Sequence, residues 1–460
     1  VDIVSRASRA RGAAAAITLI VSLAAACNDA PRPGETLTWY VGSWGGVLSA
    51  DGARIALTIS IAQTAGVFQA TLDVPSQSLR GFSASETRVG ESGVSVSFAS
   101  IGARFEAKRS EESLDGAWIQ GGREFPLVLS RAGSAADPEY LGEEVHFPAG
   151  SGGATLAGSL LVPEGDGPFP LAILLSGSGA QDRDETIAGH KPFETIAAAL
   201  LEAGIASLRY DDRGVGGSSG DFQAAGLDDF AADAIAAWNF ARRDARFGSI
   251  GFIGHSEGGV VALDAAARLK DASFVVTLAS PYVDGRSLLL MQSRALLEAM
   301  GADPASVEEA NRLNGRIFDL AAKSGPYPRD EIDETLVQAG LAKDARDAQH
   351  AALSSKWFAQ FLRSDPLTLV GSIGVPILAY FGDRDLQVPY AENVANAAAA
   401  LSGRPGSEVR TWSGLNHLFQ PAITGLPDEY GSIGTGFDPG VAREVAAWIA
   451  RTAPGSRAGD

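Results

Sequence analysis

The stretch that most restricts this chain is residues 251–263, GFIGHSEGGVVAL. An apolar run passes through Gly254, His255, Ser256, Glu257, Gly258 and Gly259 into a second apolar run with no polar spacer. Residues 249–253 read as a buried strand, and 260–269 carry helical spacing. A strand that becomes a helix within so few residues needs small residues at the corner, because Cβ atoms at 254 and 258 would clash there. Such a strained corner lifts the serine between them clear of the sheet. The spelling alone decides little. With 54 glycines in 460 residues, about 0.6 matches to G-x-S-x-G arise by chance. A second match is present at Gly216-Gly217-Ser218-Ser219-Gly220, but Ser218 lies several residues beyond its strand and no helix start follows it. Ser218 therefore reads as a loop residue.

The surroundings of the corner fix the fold class. From about 143 onward, apolar strands near 170–175, 205–210, 250–254, 273–279, 375–381 and 408–412 alternate with helical patterns such as 193–203, 228–243 and 260–269. That alternation predicts an α/β domain with a parallel sheet covered on both faces. Residues 284–370 break the pattern: 288–300, 307–322, 331–338 and 345–362 all carry helical spacing. They read as a helical cap insertion over one edge of the sheet. Residues 37–132 follow a different period. Leu57, Ile59 and Ile61, then Phe68, Ala70 and Leu72, then Val94, Val96 and Phe98 alternate with smaller or polar neighbours. Turn signals fall at Asp51-Gly52, Ser92-Gly93, Asp115-Gly116 and Gly121-Gly122. This predicts a small antiparallel β-barrel or sandwich of seven or eight strands, with Trp44 and Trp118 as core or barrel-end aromatics. The expected division is 1–27, a 28–36 tether, the 37–132 β domain, an α/β domain at 140–452, and a flexible tail at 453–460.

Arg6, Arg9 and Arg11 precede an uncharged stretch at 13–26 that ends at Cys27, the only cysteine. That stretch is shorter than the roughly 20 residues that span a bilayer, so it reads as the apolar region of a secretory signal peptide. With Ala24, Ala25 and Ala26 before the cysteine, it resembles a bacterial lipoprotein signal, though Ala24 stands where such signals most often carry leucine. The resemblance implies lipidation of Cys27 and an exported, lipid-anchored protein of the cell envelope. The net charge of −18, without any basic run, argues against a nucleic-acid partner. No metal-ligand spacing appears, so neither metal nor cofactor is expected.

A serine hydroxyl needs a base to become a nucleophile, and the chain has five histidines. His255 sits in the corner itself and is expected to point away from Ser256. His146 precedes the parallel sheet, His190 follows the 170–175 strand, and His350 reads as a surface residue of the insertion. His417 alone occupies a glycine-bearing loop, Gly414-Leu415-Asn416-His417, between the last strand and the last helix. The base in turn needs a carboxylate to hold its tautomer. Asp383 and Asp385, just after the 375–381 strand, are both in place in chain order, and Asp385 is favoured. Two backbone N–H groups are expected to form an oxyanion hole, from Glu257 and from Ser178 in the loop Ser176-Gly177-Ser178-Gly179. Arg183, Asp184, Asp211, Asp212 and Arg213 read as loop-holding ion pairs, and Trp357 and Phe358 as acyl-pocket or packing residues.

The strings GHSEGG, GDRDLQVP, GLNHLF, LLSGSGAQDRDE and LRYDDRGVGGSSG resemble the α/β-hydrolase superfamily, in particular its serine-aminopeptidase-like bacterial esterases, over roughly 140–452. The resemblance implies the triad Ser256, Asp385 and His417, with Asp385 at the fourth position of G-x-x-D-x-x-V-P. It departs from many relatives by Ser176-Gly177 where those carry His-Gly. GSWGGVL and GAWIQGGREFPLVL resemble a β domain often joined to such hydrolases. The activity so implied is a serine hydrolase acting on small-molecule carboxylic esters with small to medium acyl chains. Two alternatives stand beside it: a serine peptidase for short peptides, and an envelope binding or sensing protein whose hydrolase domain is vestigial.

Overall fold

The computed structural model describes residues 38–453, apart from 51–52, 65–66, 75–78, 91–92, 111–112, 132–141, 324–326 and 432. The expected signal segment, Cys27, the tether and the end of the tail lie outside the described residues.

Among the described residues up to Arg131, one antiparallel sheet is formed by strands β1 (Gly42–Ala50), β2 (Ala53–Thr64), β3 (Val67–Val74), β4 (Leu79–Ser83), β5 (Glu86–Gly90), β6 (Gly93–Phe98), β7 (Ala103–Ser110), β8 (Ser113–Gln120) and β9 (Arg123–Arg131). The order is β4-β3-β2-β1-β9-β8-β7-β6-β5. The two ends of that order, β4 and β5, are halves of a single stretch interrupted only at Ala84 and Ser85. One half pairs with β3 and the other with β6, and the Ala84 N–H donates to Ala70 O at 2.8 Å. The sheet thus closes on itself as a nearly complete barrel. Counted with β4 and β5 joined, it has the eight strands expected. Its core gathers Trp44, Leu57, Ile59, Leu72, Phe98, Phe105 and Trp118, so both tryptophans are core aromatics. One expected turn is absent: Asp115 and Gly116 lie inside β8. Gly116 serves close approach there, since a Cβ would fall 1.9 Å from Glu106 O on the neighbouring strand.

The second domain holds β10 (Glu143–Pro148), β11 (Thr155–Leu161), β12 (Phe169–Leu175), β13 (Ala206–Tyr210), β14 (Phe247–His255), β15 (Val275–Leu278), β16 (Ile377–Gly382) and β17 (Glu408–Trp412). They are ordered β10-β11-β13-β12-β14-β15-β16-β17. Only β11 runs against both neighbours; from β13 to β17 every pairing is parallel. Helices cover both faces, which is why β12 can be apolar throughout. Leu171, Ile173 and Leu175 pack on one face with α2 (Leu227–Ala241) and α3 (Glu257–Leu269). Ala172 and Leu174 pack on the other with α1 (Pro192–Glu202) and with the C-terminal helix Pro439–Thr452. This is the α/β-hydrolase arrangement expected.

Between β15 and β16 the chain forms α4 (Gly285–Ala299), α5 (Pro304–Ala321), α6 (Arg329–Gln338), α7 (Lys343–Leu353), α8 (Lys356–Leu362) and α9 (Pro366–Ser372). Two expectations are corrected here. The insertion does not sit over a sheet edge: it leaves between adjacent inner strands, and α4 and α8 wall a cleft above Ser256. The single helix expected over 345–362 is two, because Ser355 caps α8 by accepting from the Phe358 N–H at 3.1 Å. After β16 come α10 (Tyr390–Leu401), β17 and finally α11, the C-terminal helix already described.

Candidate active site

β14 ends at His255 and α3 begins at Glu257, so Ser256 alone makes the corner. Its φ of +53° and ψ of −120° lie where L residues are rarely found, a strain of roughly 1–3 kcal/mol that the surroundings must hold. They do so by contact. The Ser256 N–H donates to Leu278 O on β15 at 2.8 Å. A Cβ on Gly254 would fall 2.0 Å from Gly258 O, and one on Gly258 would fall 2.1 Å from Leu175 O. Both contacts are with backbone, so neither glycine tolerates a side chain without moving the corner.

The loop after β17 brings His417 to a cavity that Ser256 also lines. It is pinned by Asn416, whose Oδ1 accepts from the Leu418 N–H at 3.0 Å and the Gln420 N–H at 2.9 Å. His417 Nδ1 lies 2.8 Å from Asp385 Oδ2, and both side chains are buried. A carboxylate accepts there, so Nδ1 carries the proton and Nε2 is left able to take one. Asp385 is held by its other oxygen, which accepts from the Gln387 and Val388 N–H groups at 2.8 and 2.9 Å. Asp383 faces elsewhere, accepting from Ser413 Oγ at 2.8 Å and the Gly414 N–H at 2.6 Å. Ser256, His417 and Ser178 line one cavity together.

The expected oxyanion loop follows β12. Its Gly177 N–H is taken by Glu185 Oε1 at 2.6 Å, and the next residue, Ser178, lines the same cavity as Ser256. Glu257 is the first residue of α3, and the first N–H groups of a helix have no intrahelical acceptor. The cleft is walled on the far side by Leu288 and Leu289 of α4 and by Trp357, Phe358 and Phe361 of α8. Trp357 and Phe358 therefore both pack the insertion and face the cleft.

Three contacts were not legible in the sequence. The Glu257 carboxyl, 5% exposed, accepts from Trp357 Nε1 at 2.6 Å; burial pushes its pKa up to about 7, against the opposing pull of that hydrogen bond. Glu185 and His255 form a buried pair at 2.8 Å. His350, expected at the surface, is buried and bonded to Tyr327 Oη at 2.9 Å and Asp333 Oδ1 at 3.2 Å. The sequence gives no advance signal for Glu185, which closes the polar run Gln181-Asp182-Arg183-Asp184-Glu185 with nothing to set it apart from its neighbours.

The remaining loop charges mostly hold loops, as expected. Arg183 pairs with Asp211 at 2.8 Å and Glu144 at 2.5 Å, Arg209 with Asp184, and Arg213 with Asp233 at 2.5 Å. Asp212 differs: it accepts from the Gln181 N–H at 2.9 Å and Ser176 Oγ at 3.2 Å, and burial drives its carboxyl well above the ordinary range. Ser218 is a buried loop residue, donating to Asp211 O at 2.7 Å and accepting from the Ala157 N–H at 2.9 Å. Among the described residues no group of three or more His, Cys, Asp and Glu side chains could hold a metal ion. None of their helices is long and apolar enough to cross a membrane.

Residues 190–419, which include Ser256, Asp385 and His417, match the family model described as serine aminopeptidase, S33. The esterase EstD of Thermotoga maritima is 28% identical over 300 residues, covering 64% of this chain and 66% of EstD. The match thus spans just under two thirds of that relative's length. Among solved structures, the Pyrococcus furiosus esterase Pf2001 is 16% identical with a TM-score of 0.42, covering 67% of this chain and 90% of that one. Est1E from Butyrivibrio proteoclasticus, solved with ferulic acid bound, is 17% identical with a TM-score of 0.41, covering 67% and 98%.

Proposed function

The chain belongs to the serine aminopeptidase, S33, family, and from that premise we propose that it is a serine hydrolase of carboxylic esters with small to medium acyl chains. The reading is carried by one observation: a buried Asp385–His417 pair at 2.8 Å opens on the cavity that the strained Ser256 also lines. In the reaction, Ser256 Oγ attacks the ester carbonyl while His417 Nε2 takes its proton. Asp385 keeps the other nitrogen protonated and stabilises the imidazolium. The developing oxyanion is held by the N–H groups of Glu257 and Ser178, which act without reorganising. His417 then protonates the departing alcohol, the acyl-enzyme forms, and water reverses the sequence to release the acid. The apolar wall of Leu288, Leu289 and Phe361 suits the acyl chain.

A peptidase acting on short peptides is the second reading, because Glu257 places a buried carboxyl in the cleft wall where a substrate amine would find a partner. The two are separated by p-nitrophenyl esters of graded chain length assayed beside aminoacyl p-nitroanilides. The ester reading expects ester turnover to exceed amide turnover and to vanish in Ser256→Ala, with a fluorophosphonate labelling Ser256 in the wild type. Amide turnover above ester turnover would favour the peptidase. Neither turnover nor labelling would leave a binding or sensing protein.

The protein is also proposed to be exported and held at a membrane by a lipid on Cys27. This rests on the basic and apolar residues that precede Cys27 in the sequence. Cys27→Ser should release the protein from the membrane fraction, and unchanged attachment would count against it.

A further inference from the structure

Glu185 is wholly buried, yet the chemistry above gives it no part. Its backbone is left-handed, with φ +53°, and its Oε2 has no hydrogen-bond partner. A carboxylate kept under those conditions is retained for what its other oxygen does. Oε1 accepts from the Gly177 N–H at 2.6 Å and meets His255 Nδ1 at 2.8 Å. On the far side of the ring, His255 Nε2 lies 2.9 Å from the carbonyl oxygen of His417. A carbonyl only accepts, so Nε2 carries a proton. Burial works against a charged His255, but the Glu185 charge and hydrogen bond, the His417 carbonyl and Asp385 outweigh it and raise the imidazole pKa. Nε2 thus donates to the His417 carbonyl while Nδ1 and Glu185 Oε1 share the hydrogen bond on the other side of the ring.

The three anchor points are distant in sequence and adjacent in chemistry. Gly177 precedes Ser178, His255 precedes Ser256, and the accepting carbonyl belongs to His417 itself. The His255 and His417 rings stand 4.8 Å apart between centroids. At Gly177 a Cβ would lie 3.0 Å from Glu185 Oε1 and 3.3 Å from Ser256 Cβ, so the bare backbone lets carboxylate and nucleophile crowd the same loop. Hydrolysis requires nucleophile, base and oxyanion donors to hold their places within about 0.5 Å. We propose that Glu185 and His255 are positioning residues, a buried pair that locks the oxyanion loop, the nucleophile corner and the His417 loop into one register. The proposal rests on the hydrolase reading.

Its test compares Glu185→Gln, His255→Leu and His255→Gln in the full chain, with kcat expressed per site labelled by a fluorophosphonate. For a short p-nitrophenyl ester, Glu185→Gln and His255→Leu should lower kcat per labelled site by about 10- to 100-fold while KM moves less than about threefold. Affinity for phenylboronic acid, which forms a tetrahedral adduct on the serine, should weaken in step with kcat/KM. His255→Gln, able to donate in one of the two directions, should recover part of the loss. A merely structural role would reduce the number of labelled sites or the melting temperature and leave kcat per site at the wild-type value; that result overturns the proposal. Should His255→Leu fail to fold, the isosteric Glu185→Gln decides alone. A wild type that neither turns over ester nor is labelled fails at the hydrolase reading and takes this proposal with it, a result distinguishable from normal turnover in every variant.

Discussion

Asp383 and Asp385 stand two residues apart after one strand, and chain order admits either as partner of the base. The structure separates them by what each accepts from: Asp385 meets His417 Nδ1, whereas Asp383 braces Ser413 and Gly414 at the start of the same loop. Asp385→Asn should therefore lower kcat by about 10⁴, because an amide can stabilise the wrong tautomer of the base. Asp383→Asn, which retains one acceptor for the Gly414 N–H, should lower it by about tenfold or less; steady-state ester hydrolysis measures both. Glu257 gives a prediction about stability. Its folded pKa of about 7 lies above the ordinary carboxyl value of 4.5, chiefly through burial. The folded state then binds the proton more tightly than the unfolded state, so this contribution is complete below about pH 4.5 and is lost as pH rises toward 7. Glu257→Gln removes that slope, still offers Trp357 an acceptor, and should be more stable than wild type at pH 8 by up to roughly 3 kcal/mol. Urea unfolding at pH 5 and pH 8 checks it, and ester turnover should persist because the proposed oxyanion donor is the backbone N–H. At this scale the sequence was legible where chemistry and chain proximity coincide, as at Ser256, Asp385 and His417. It was silent on Glu185 and on the Glu257–Trp357 bond, whose partners lie 70 and 100 residues away.

Elements were readable in proportion to how much of their surface is buried. β12, β14, β15 and β16 are apolar runs packed on both faces, and their positions followed directly. β10 buries a single residue of its six, Phe147, and gave no clear alternation. The break between α7 and α8 was hidden for a different reason: helical spacing continues through it, and only the Ser355 cap marks the new start. That cap has functional weight, because α8 carries Trp357 and Phe358 to the cleft within its first turn. Ser355→Ala should cost about 1 kcal/mol of stability. It should also raise KM for the longer p-nitrophenyl esters more than it lowers kcat, since the wall of the cleft loosens while the corner at Ser256 is untouched. Chain-length profiles of the variant and wild type would show this as a selective loss with the longer acyl groups; an equal change at every length would remove α8 from acyl binding.

At the scale of the molecule, the described residues hold their apolar side chains in separate bodies. The buried residues of the barrel core all precede 130, and those of the two cores of the α/β domain all follow 146. No hydrophobic cluster among the described residues joins them, so the barrel and the hydrolase sheet each have the means to unfold as a unit. A period-two sequence followed by a strand–helix alternation made this division legible, because a chain changes its hydrophobic period only where it changes architecture. The closure of the barrel was not legible in the same way: it depends on one stretch, 79–90, bending at Ala84 and Ser85 so that its halves pair with different neighbours. Phe105 is fully buried in that barrel, paired across from Trp118. Phe105→Ala should remove about 3–5 kcal/mol from the barrel and shift one of two calorimetric transitions downward. The second transition, and ester turnover at a temperature below both, should keep their wild-type values, since the substitution leaves every contact around Ser256 and His417 in place. A single transition that moves as a whole, or turnover that falls with it, would mean that the barrel and the hydrolase domain stabilise one another through contacts other than apolar packing.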